Sequence, residues 1–239
     1  MTDKSNDQPV AAILGVGPGL GASLARRFAK GFRVAINARK ADYLASLAGE
    51  IRVAGGEALE VPADLSDRQQ VEEAFSLIRQ RLGHPEVLIY NAGGGTFGNV
   101  TEVTPEQYES AWKVNAFGAF LSAKEVVPEM IARGRGALLF TGATAGVKAG
   151  PKSAAFGPAK FAMRGLAQSL ARDLGPKGIH VAWVNVDGVI DLPLRKLAHL
   201  KAEDMLKPDA IAETYWHLAH QDRSAWTLEL EVRPFREKF

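Results

Sequence analysis

Short, continuous apolar runs alternate with longer amphipathic segments along almost the whole chain. Runs such as VAAIL (10–14) and GALLF (136–140) lack a polar residue at every second position, which is typical of parallel strands covered on both faces. The segments between such runs, for example 41–53, have the apolar spacing of helices. This alternation predicts an α/β fold, a doubly wound parallel sheet of about seven strands with helices on both faces. We place this single domain at 10–239, after a flexible tail at 1–9.

Strands and helices are predicted in turn along the chain. The predicted strands lie at 10–14, 33–37, 57–61, 86–90, 136–140, 179–186 and 226–232. The predicted helices lie at 20–30, 41–53, 67–82, 105–133, 152–174 and 208–220. Thr104 is placed to cap the fourth helix and Pro105 to begin it, because proline is tolerated at the first helical position. For the same reason, Pro158 has to lie near the start of its helix.

Composition excludes several classes of function. The 239 residues include 29 Lys and Arg against 27 Asp and Glu, and the net charge of +2 gives no reason to expect a nucleic-acid partner. The absence of cysteine excludes disulfides, thiolate catalysis and cysteine metal sites. His217 and His220 share a helix face without a third ligand, so no metal site is expected. No apolar stretch is long enough to span a membrane, and the polar first residues do not resemble a signal peptide, so we expect a cytoplasmic protein without a membrane partner.

A glycine-rich stretch, GVGPGLG at 15–21, connects the first predicted strand to the first predicted helix. Glycines in this context let the backbone turn tightly and approach a pyrophosphate, while the start of the helix offers free N–H groups and a positive dipole. The sequence therefore predicts a dinucleotide site here. The residues expected to line it are Gly15, Gly17, Gly19, Leu20 and Gly21.

The spacing of Gly15, Gly19 and Gly21 resembles the TGxxxGxG pattern of the short-chain dehydrogenase/reductase family. Further motifs of that family follow in order: DLS at 64–66, YNAG at 90–93, and single Asn and Lys residues in the later helices. The resemblance implies a single-domain Rossmann fold that binds a nicotinamide dinucleotide. It also implies cofactor contacts from Asp64, Leu65, Asn91, Ala92, Gly93, Lys160 and Gly188.

The end of the second predicted strand indicates which dinucleotide is bound. Family members that select NAD carry an Asp there, and this chain has Ala38 at that position, followed by Arg39 and Lys40. A guanidinium without a carboxylate at this point suits a 2′-phosphate. We therefore predict NADP(H), with Arg39 as the contact.

The catalytic residues of the family are only half present. The resemblance assigns a proton-donating Tyr to the position of Phe156, and a substrate-orienting Ser to the position of Ala143. Asn115 and Lys160 match the family's catalytic Asn and Lys. Asp187, at the end of the sixth predicted strand, is a candidate for a relocated proton donor, because a carboxyl group in an apolar pocket can stay protonated. The alternative is that Asp187 hydrogen-bonds the local backbone before Gly188.

Two segments outside this core bear on the substrate and on assembly. Residues near 192–207 lie where the family has its substrate lid, although an amphipathic surface helix explains the leucine spacing equally well. The two long helices, at 105–131 and 152–174, resemble those through which the family forms homodimers and homotetramers. Their small residues pack either on a partner helix or inside the subunit: Ala155, Ala159, Ala162 and Gly165.

Two functions are compatible with these residues. The first is an NADP(H)-dependent oxidoreductase that acts on a small carbonyl or alcohol with an altered proton donor. The second is a catalytically inactive NADP(H)-binding protein that serves as a sensor or a partner subunit. Loss of the Tyr and Ser favours the second, whereas the glycine loop, Asn115 and Lys160 fit either.

Overall fold

The computed structural model describes residues 8–192 and 200–237. Seven parallel strands form one sheet in the order β3-β2-β1-β4-β5-β6-β7. The strands are β1 (Val10–Leu14), β2 (Arg33–Ala38), β3 (Ala58–Pro62), β4 (Pro85–Tyr90), β5 (Gly136–Thr141), β6 (Ile179–Val186) and β7 (Glu229–Val232). The central strands β1, β4, β5 and β6 are buried on both faces, as their continuous apolar sequences predict. The edge strands β3 and β7 are only partly buried.

Helices cover both faces of the sheet. They are α1 (Leu20–Phe28), α2 (Ala41–Val53), α3 (Arg68–Arg81), α4 (Pro105–Trp112), α5 (Gly118–Arg133), α6 (Phe156–Leu174) and α7 (Pro208–Ala219). One core lies between the sheet and α1, α2 and α7, with Leu24, Leu44 and Leu218 buried. The other lies between the sheet and α3, α5 and α6, with Phe75 and Met130 buried. The doubly wound α/β fold is therefore confirmed.

The long helix predicted at 105–133 is interrupted by a π-helical turn, Lys113–Phe117, between α4 and α5. Inside this turn, Asn115 donates from Nδ2 to the Ala111 carbonyl at 2.8 Å. The buried Tyr90 hydroxyl donates to the Val114 carbonyl at 2.6 Å. A π turn breaks the regular helical hydrogen-bonding pattern, and these two side chains satisfy carbonyls next to the break.

The helix predicted to begin at residue 152 begins at Phe156, which corrects that expectation. The backbone before Phe156 pairs with Gly98 and is not helical. Gly98 N donates to Lys152 O at 2.8 Å, and Ala154 N donates to Gly98 O at 3.2 Å. Pro158 is therefore the third residue of α6, where its missing N–H leaves no helical hydrogen bond unmade.

The ends of the chain differ slightly from expectation. Residues 8 and 9, assigned to a flexible tail, accept hydrogen bonds from Arg33, through its side chain to Gln8 O at 3.1 Å and its backbone to Pro9 O at 2.9 Å. The rest of that tail, 1–7, lies outside the described residues. Among the helices that the structure describes, none has the length and apolar character needed to cross a membrane.

The strand order reverses between β1 and β4, and the loops that follow these strands diverge there. In open parallel sheets, ligands bind in the crevice at the carboxyl ends of the strands where the order reverses. The fold therefore indicates a candidate ligand site at the loops after β1 and β4.

Candidate functional site

A crevice of about 730 Å³ opens at the carboxyl ends of β1 and β4. Its walls are the glycine loop, the ends of β2 and β3, the loop that follows β4 and the first residues of α4. Thr141, Ile190 and Leu192 close its far side. Most residues predicted to hold a cofactor line this crevice: Gly15, Gly17, Gly19, Leu20, Gly21, Arg39, Asp64, Leu65, Asn91, Ala92 and Gly93.

Glycine is required at two positions of the loop by the space around it. Gly15 has φ of 79°, and a Cβ there would lie 2.2 Å from the Ala92 Cα. At Gly21, a Cβ would lie 2.6 Å from the Val16 Cα. Among the described residues, no side chain caps the start of α1, which follows Gly19. The loop therefore brings bare backbone and the positive end of a helix to the crevice, as an anionic ligand requires.

Two asparagines hold Gly15 from either side. Gly15 N donates to the Asn37 carbonyl at 3.1 Å, and the Asn91 Nδ2 donates to Gly15 O at 2.9 Å. Asn37 is itself anchored to β3, since its Nδ2 donates to Val61 O at 2.8 Å. Sequence reasoning identified Asn91 and missed Asn37, although a polar residue near the end of the apolar run RVAIN was the available signal.

The wall at the end of β2 is basic. Arg39 is exposed there, next to Ala38. The Asp64 carboxylate on the same wall accepts hydrogen bonds from Ser66 N at 2.9 Å and Ser66 Oγ at 2.7 Å. Burial acts to raise the pKa of Asp64, but the bonds from Ser66 and the charge of Arg39 outweigh it, so this pKa is lowered. Asp64 is therefore an anion whose Oδ1 is already engaged by Ser66.

Two predicted cofactor contacts, Lys160 and Gly188, are not among the described residues that line the crevice. Lys160 lies behind the crevice wall, buried against Gly93 and Thr141. Its Nζ donates to the Thr141 carbonyl at 2.9 Å, and burial lowers the pKa of its ammonium to about 8. Phe156, four residues earlier on α6, lies with its ring centre 5.6 Å from that nitrogen. The Phe156 ring packs over Gly95 and against Phe97, with 5.3 Å between the ring centres. An apolar aromatic pair therefore packs over the crevice wall at Gly95, where the family resemblance places a hydroxyl.

Asn115 and Lys160 are brought together behind Gly93. A Cβ built at Gly93 would lie 3.3 Å from both the Asn115 Oδ1 and the Lys160 Nζ. The Asn115 Nδ2 donates to Gly94 O at 2.6 Å, while its Oδ1 is buried without a hydrogen-bond partner among the described residues. A buried acceptor beside a buried amine leaves both polar groups available to a ligand or a water.

Asp187, the candidate proton donor, lies just after β6 and is buried. Its Oδ1 accepts from the Thr144 hydroxyl at 2.5 Å, and its Oδ2 lies 3.7 Å from Arg233 Nη1. Asp187 is therefore held by one side chain from the loop after β5 and approached by another from the segment after β7. The role of Asp187 as proton donor stays a prediction. The adjacent Gly188 has φ of 141° and packs against Pro234.

Leu192, the first residue of the predicted lid, packs on the glycine loop. Its Cδ2 would lie 2.2 Å from a Cβ at Gly19. The lid predicted at 192–207 is described only from residue 200 onward and at Leu192, since 193–199 lie outside the described residues. At its far end, Ile190 and Leu206 form an isolated parallel bridge. The helical lid stays a prediction.

The small residues of α6 are divided between the interior and the surface. Ala155 and Ala159 are buried against Ala111 of α4, so they pack inside the subunit. Gly165 has open space where a Cβ would lie. Large apolar side chains are exposed on α4, α5 and α6, with Trp112 at 42%, Phe120 at 47% and Phe161 at 42% exposure.

Two hydroxyls near the crevice could not be placed from the sequence. The Tyr215 hydroxyl, from α7, lies 2.7 Å from the Thr141 Oγ1, and Thr141 donates to the Asn91 Oδ1 at 3.1 Å. The apolar spacing of α7 predicts that its Tyr215 face is buried, but no local pattern indicates what the hydroxyl contacts. No group of three or more potential metal ligands occurs in the part of the chain that the structure describes.

Comparison with known proteins gives consistent matches. A family model described as short chain dehydrogenase matches residues 9–198. The short-chain dehydrogenase/reductase eriH of Hericium erinaceus is 36% identical over 191 residues, covering 77% of this chain and 75% of that protein. A short-chain dehydrogenase from Rhodopseudomonas palustris has a crystal structure that is similar with a TM-score of 0.83 at 35% identity, covering 95% of this chain and 99% of that chain. A metagenomic short-chain oxidoreductase crystallised with NADP has a TM-score of 0.85 at 29% identity, covering 98% of this chain and 100% of that chain.

Proposed function

Since the chain belongs to the short-chain dehydrogenase family, we propose that it is an NADP(H)-dependent oxidoreductase acting on a small carbonyl or alcohol. The observation that carries the choice of cofactor is Arg39, exposed on the crevice wall beside Ala38. The observation that limits the chemistry is Phe156 at the position of the family's proton donor.

The residues of the crevice fit a dinucleotide. The backbone at Gly15 and Gly21 lies so close to Ala92 and Val16 that no side chain fits at either position, which keeps bare backbone in the loop. The uncapped start of α1 faces the same space and favours a pyrophosphate. At the other end, the unpartnered Asn115 Oδ1 and the buried Lys160 amine supply an acceptor and a donor for ribose hydroxyls.

The choice of NADP(H) over NAD(H) rests on charge at the end of β2. Arg39 is exposed, and the nearby Asp64 carboxylate accepts from Ser66. A guanidinium binds a phosphate through two parallel hydrogen bonds. The carboxylate that would bond a free 2′-hydroxyl, and repel a 2′-phosphate, is replaced by Ala38.

The chemistry divides between the cofactor and this chain. The bound dinucleotide supplies or accepts the hydride. Lys160 and Asn115 orient the ribose and a water, and Phe156 and Phe97 present apolar surface beside Gly95. Neither Phe156 nor Ala143 can transfer a proton, so the proton at the substrate oxygen comes from a water or from Asp187.

Calorimetric titration with NADPH and with NADH tests the cofactor assignment. We expect tighter binding of NADPH, and we expect Arg39→Ala to weaken NADPH binding by about tenfold or more while leaving NADH binding unchanged. Arg81→Ala is the matched control, because Arg81 is exposed at the end of α3 and lies away from the crevice. Equal binding of both dinucleotides by the unaltered protein would contradict the NADP(H) assignment.

A catalytically inactive NADP(H)-binding sensor or partner subunit is the second candidate function. Phe156 and Ala143 favour it, because the usual general acid contributes about 10²–10⁴ in rate. Phe156→Tyr combined with Ala143→Ser tests it by NADPH oxidation with a generic ketone. A large gain in rate supports a competent pocket, whereas NADPH binding without turnover in either form supports the inactive protein.

We also propose a cytoplasmic homodimer or homotetramer formed through α4, α5 and α6. The exposed side chains of Trp112, Phe120 and Phe161 support this face. Trp112 and Phe120 both stack on Phe117, and an exposed apolar patch is typical of an interface. Light scattering during gel filtration tests the assembly, and a monomer at micromolar concentration would refute it.

A further inference from the structure

A hydrogen-bonded chain of three side chains, the buried Tyr215 and Thr141 and the partly buried Asn91, connects helix α7 to the glycine loop. The Tyr215 hydroxyl lies 2.7 Å from the Thr141 Oγ1. The Thr141 hydroxyl donates to the Asn91 Oδ1 at 3.1 Å, and the Asn91 Nδ2 donates to the Gly15 carbonyl at 2.9 Å. These residues come from α7, the end of β5, the loop after β4 and the loop after β1, so the chain joins four separate parts of the fold.

The direction of every proton in this chain follows from its last member. The Gly15 carbonyl can only accept, so the Asn91 amide must present Nδ2 to it and Oδ1 to Thr141. Because Oδ1 can only accept, the single Thr141 proton must point at Asn91. The Tyr215 hydroxyl is then obliged to donate to Thr141, since the Thr141 proton is already used.

The hydrogen-bonded chain of side chains ends on Gly15, the residue at which the glycine loop turns. Gly15 turns with φ of 79°, and Ala92 packs so closely on it that the turn has little space to relax. Its N–H is held by Asn37 from β2, and its carbonyl is held by Asn91. A flipped Asn91 amide would place an oxygen against the Gly15 carbonyl and break this second attachment.

The Tyr215 hydroxyl is not explained by packing. Its side chain is fully buried among apolar neighbours on α7, including Ile211 and Leu218. A phenol at such a position costs free energy unless it finds a partner, and burial raises the pKa of Tyr215 so that its proton is retained. Phenylalanine would fill the same volume without that requirement.

We propose that Tyr215 is a positioning residue for the dinucleotide cradle: through Thr141 it fixes the Asn91 amide, and through Asn91 it holds the Gly15 turn. The part of this inference that concerns cofactor affinity rests on the proposed function. The part that concerns the order of the loop does not.

Tyr215→Phe tests the inference with two readouts. The first is hydrogen–deuterium exchange of the amides at 15–21 in the ligand-free protein, and the second is NADPH affinity by calorimetry. We expect faster exchange in this loop and NADPH binding weaker by about fivefold, the size of one lost neutral hydrogen bond. Thr141→Val should act in the same direction, whereas Thr141→Ser keeps the hydroxyl and should behave like the unaltered protein.

Ile78→Val controls for a general loss of stability. Ile78 is fully buried in α3 on the opposite face of the sheet, and this change costs stability comparable to one hydrogen bond. It should leave both exchange at 15–21 and NADPH affinity unchanged. Unchanged loop exchange in Tyr215→Phe, or equal effects of Thr141→Val and Thr141→Ser, overturns the positioning role. Failure of the unaltered protein to bind NADPH overturns the proposed function instead, and loop exchange still decides the role of Tyr215.

Discussion

Replacing Lys160 with methionine should stabilise the protein at neutral pH, because the native ammonium is fully buried. Burial lowers its pKa from 10.5 to about 8. Each pKa unit corresponds to about 1.4 kcal/mol, so the buried charge destabilises the folded state by about 3 kcal/mol at pH 7. The substitution also removes the hydrogen bond to the Thr141 carbonyl, worth about 1 kcal/mol. The expected net gain at pH 7 is about 2 kcal/mol.

The pH dependence of this stability difference is a sharper test than its size at pH 7. Below pH 8 the lysine is protonated in both the folded and the unfolded chain, so its contribution does not change with pH. Between pH 8 and pH 10.5 the folded protein releases a proton that the unfolded chain keeps, so native stability rises with pH. The advantage of Lys160→Met should therefore shrink by about 1.4 kcal/mol per pH unit across this window.

Urea denaturation of both proteins at several pH values between 7 and 10 measures this difference. Other groups that titrate contribute equally to both proteins and cancel. Lys152→Met, at an exposed lysine before α6, is the control and should show no such slope. A stability difference between Lys160→Met and the unaltered protein that stays constant over this range would refute the reasoning.

Three further substitutions test the glycine loop and the end of β6. Gly15→Ala should destabilise the protein by about 2 kcal/mol or more in urea denaturation and abolish dinucleotide binding, because φ is 79° and Ala92 occupies the space. Gly17→Ala should change stability by less than about 0.5 kcal/mol, since no atom of the described residues lies within 4 Å of its Cβ. Asp187→Asn should abolish turnover in steady-state assays if Asp187 supplies the proton, and retained turnover would remove Asp187 from the mechanism. The same variant should retain NADPH binding in calorimetry, since Asp187 does not line the crevice.

The fold was predictable because its signals are local. A continuous apolar run of the length of VAAIL, followed by glycines and an amphipathic segment, indicates strand, turn and helix without reference to distant residues. The boundaries were less predictable where distant backbone intervened. Residues 152–155 have helical composition, but Gly98 takes two of their hydrogen bonds and delays the start of α6 to Phe156.

Contacts between distant side chains limited prediction of the site. The glycine loop, Asn115 and Lys160 were found through motifs. No motif shows that Arg233 approaches Asp187, or that Tyr215 reaches Thr141 from α7. Such contacts depend on how a helix or a last strand packs on the sheet, and that packing is set by the whole core.

The parallel sheet has practical consequences for attaching tags and fusion partners. Pro9 precedes β1 at the amino edge of the sheet, and the crevice opens at the carboxyl edge. In contrast, the segment after β7 returns to the carboxyl edge, where Arg233 approaches Asp187 and Pro234 packs on Gly188. An affinity tag joined before residue 8 should therefore leave ligand titrations undisturbed. A tag joined after residue 237 would lie close to Asp187 and Gly188.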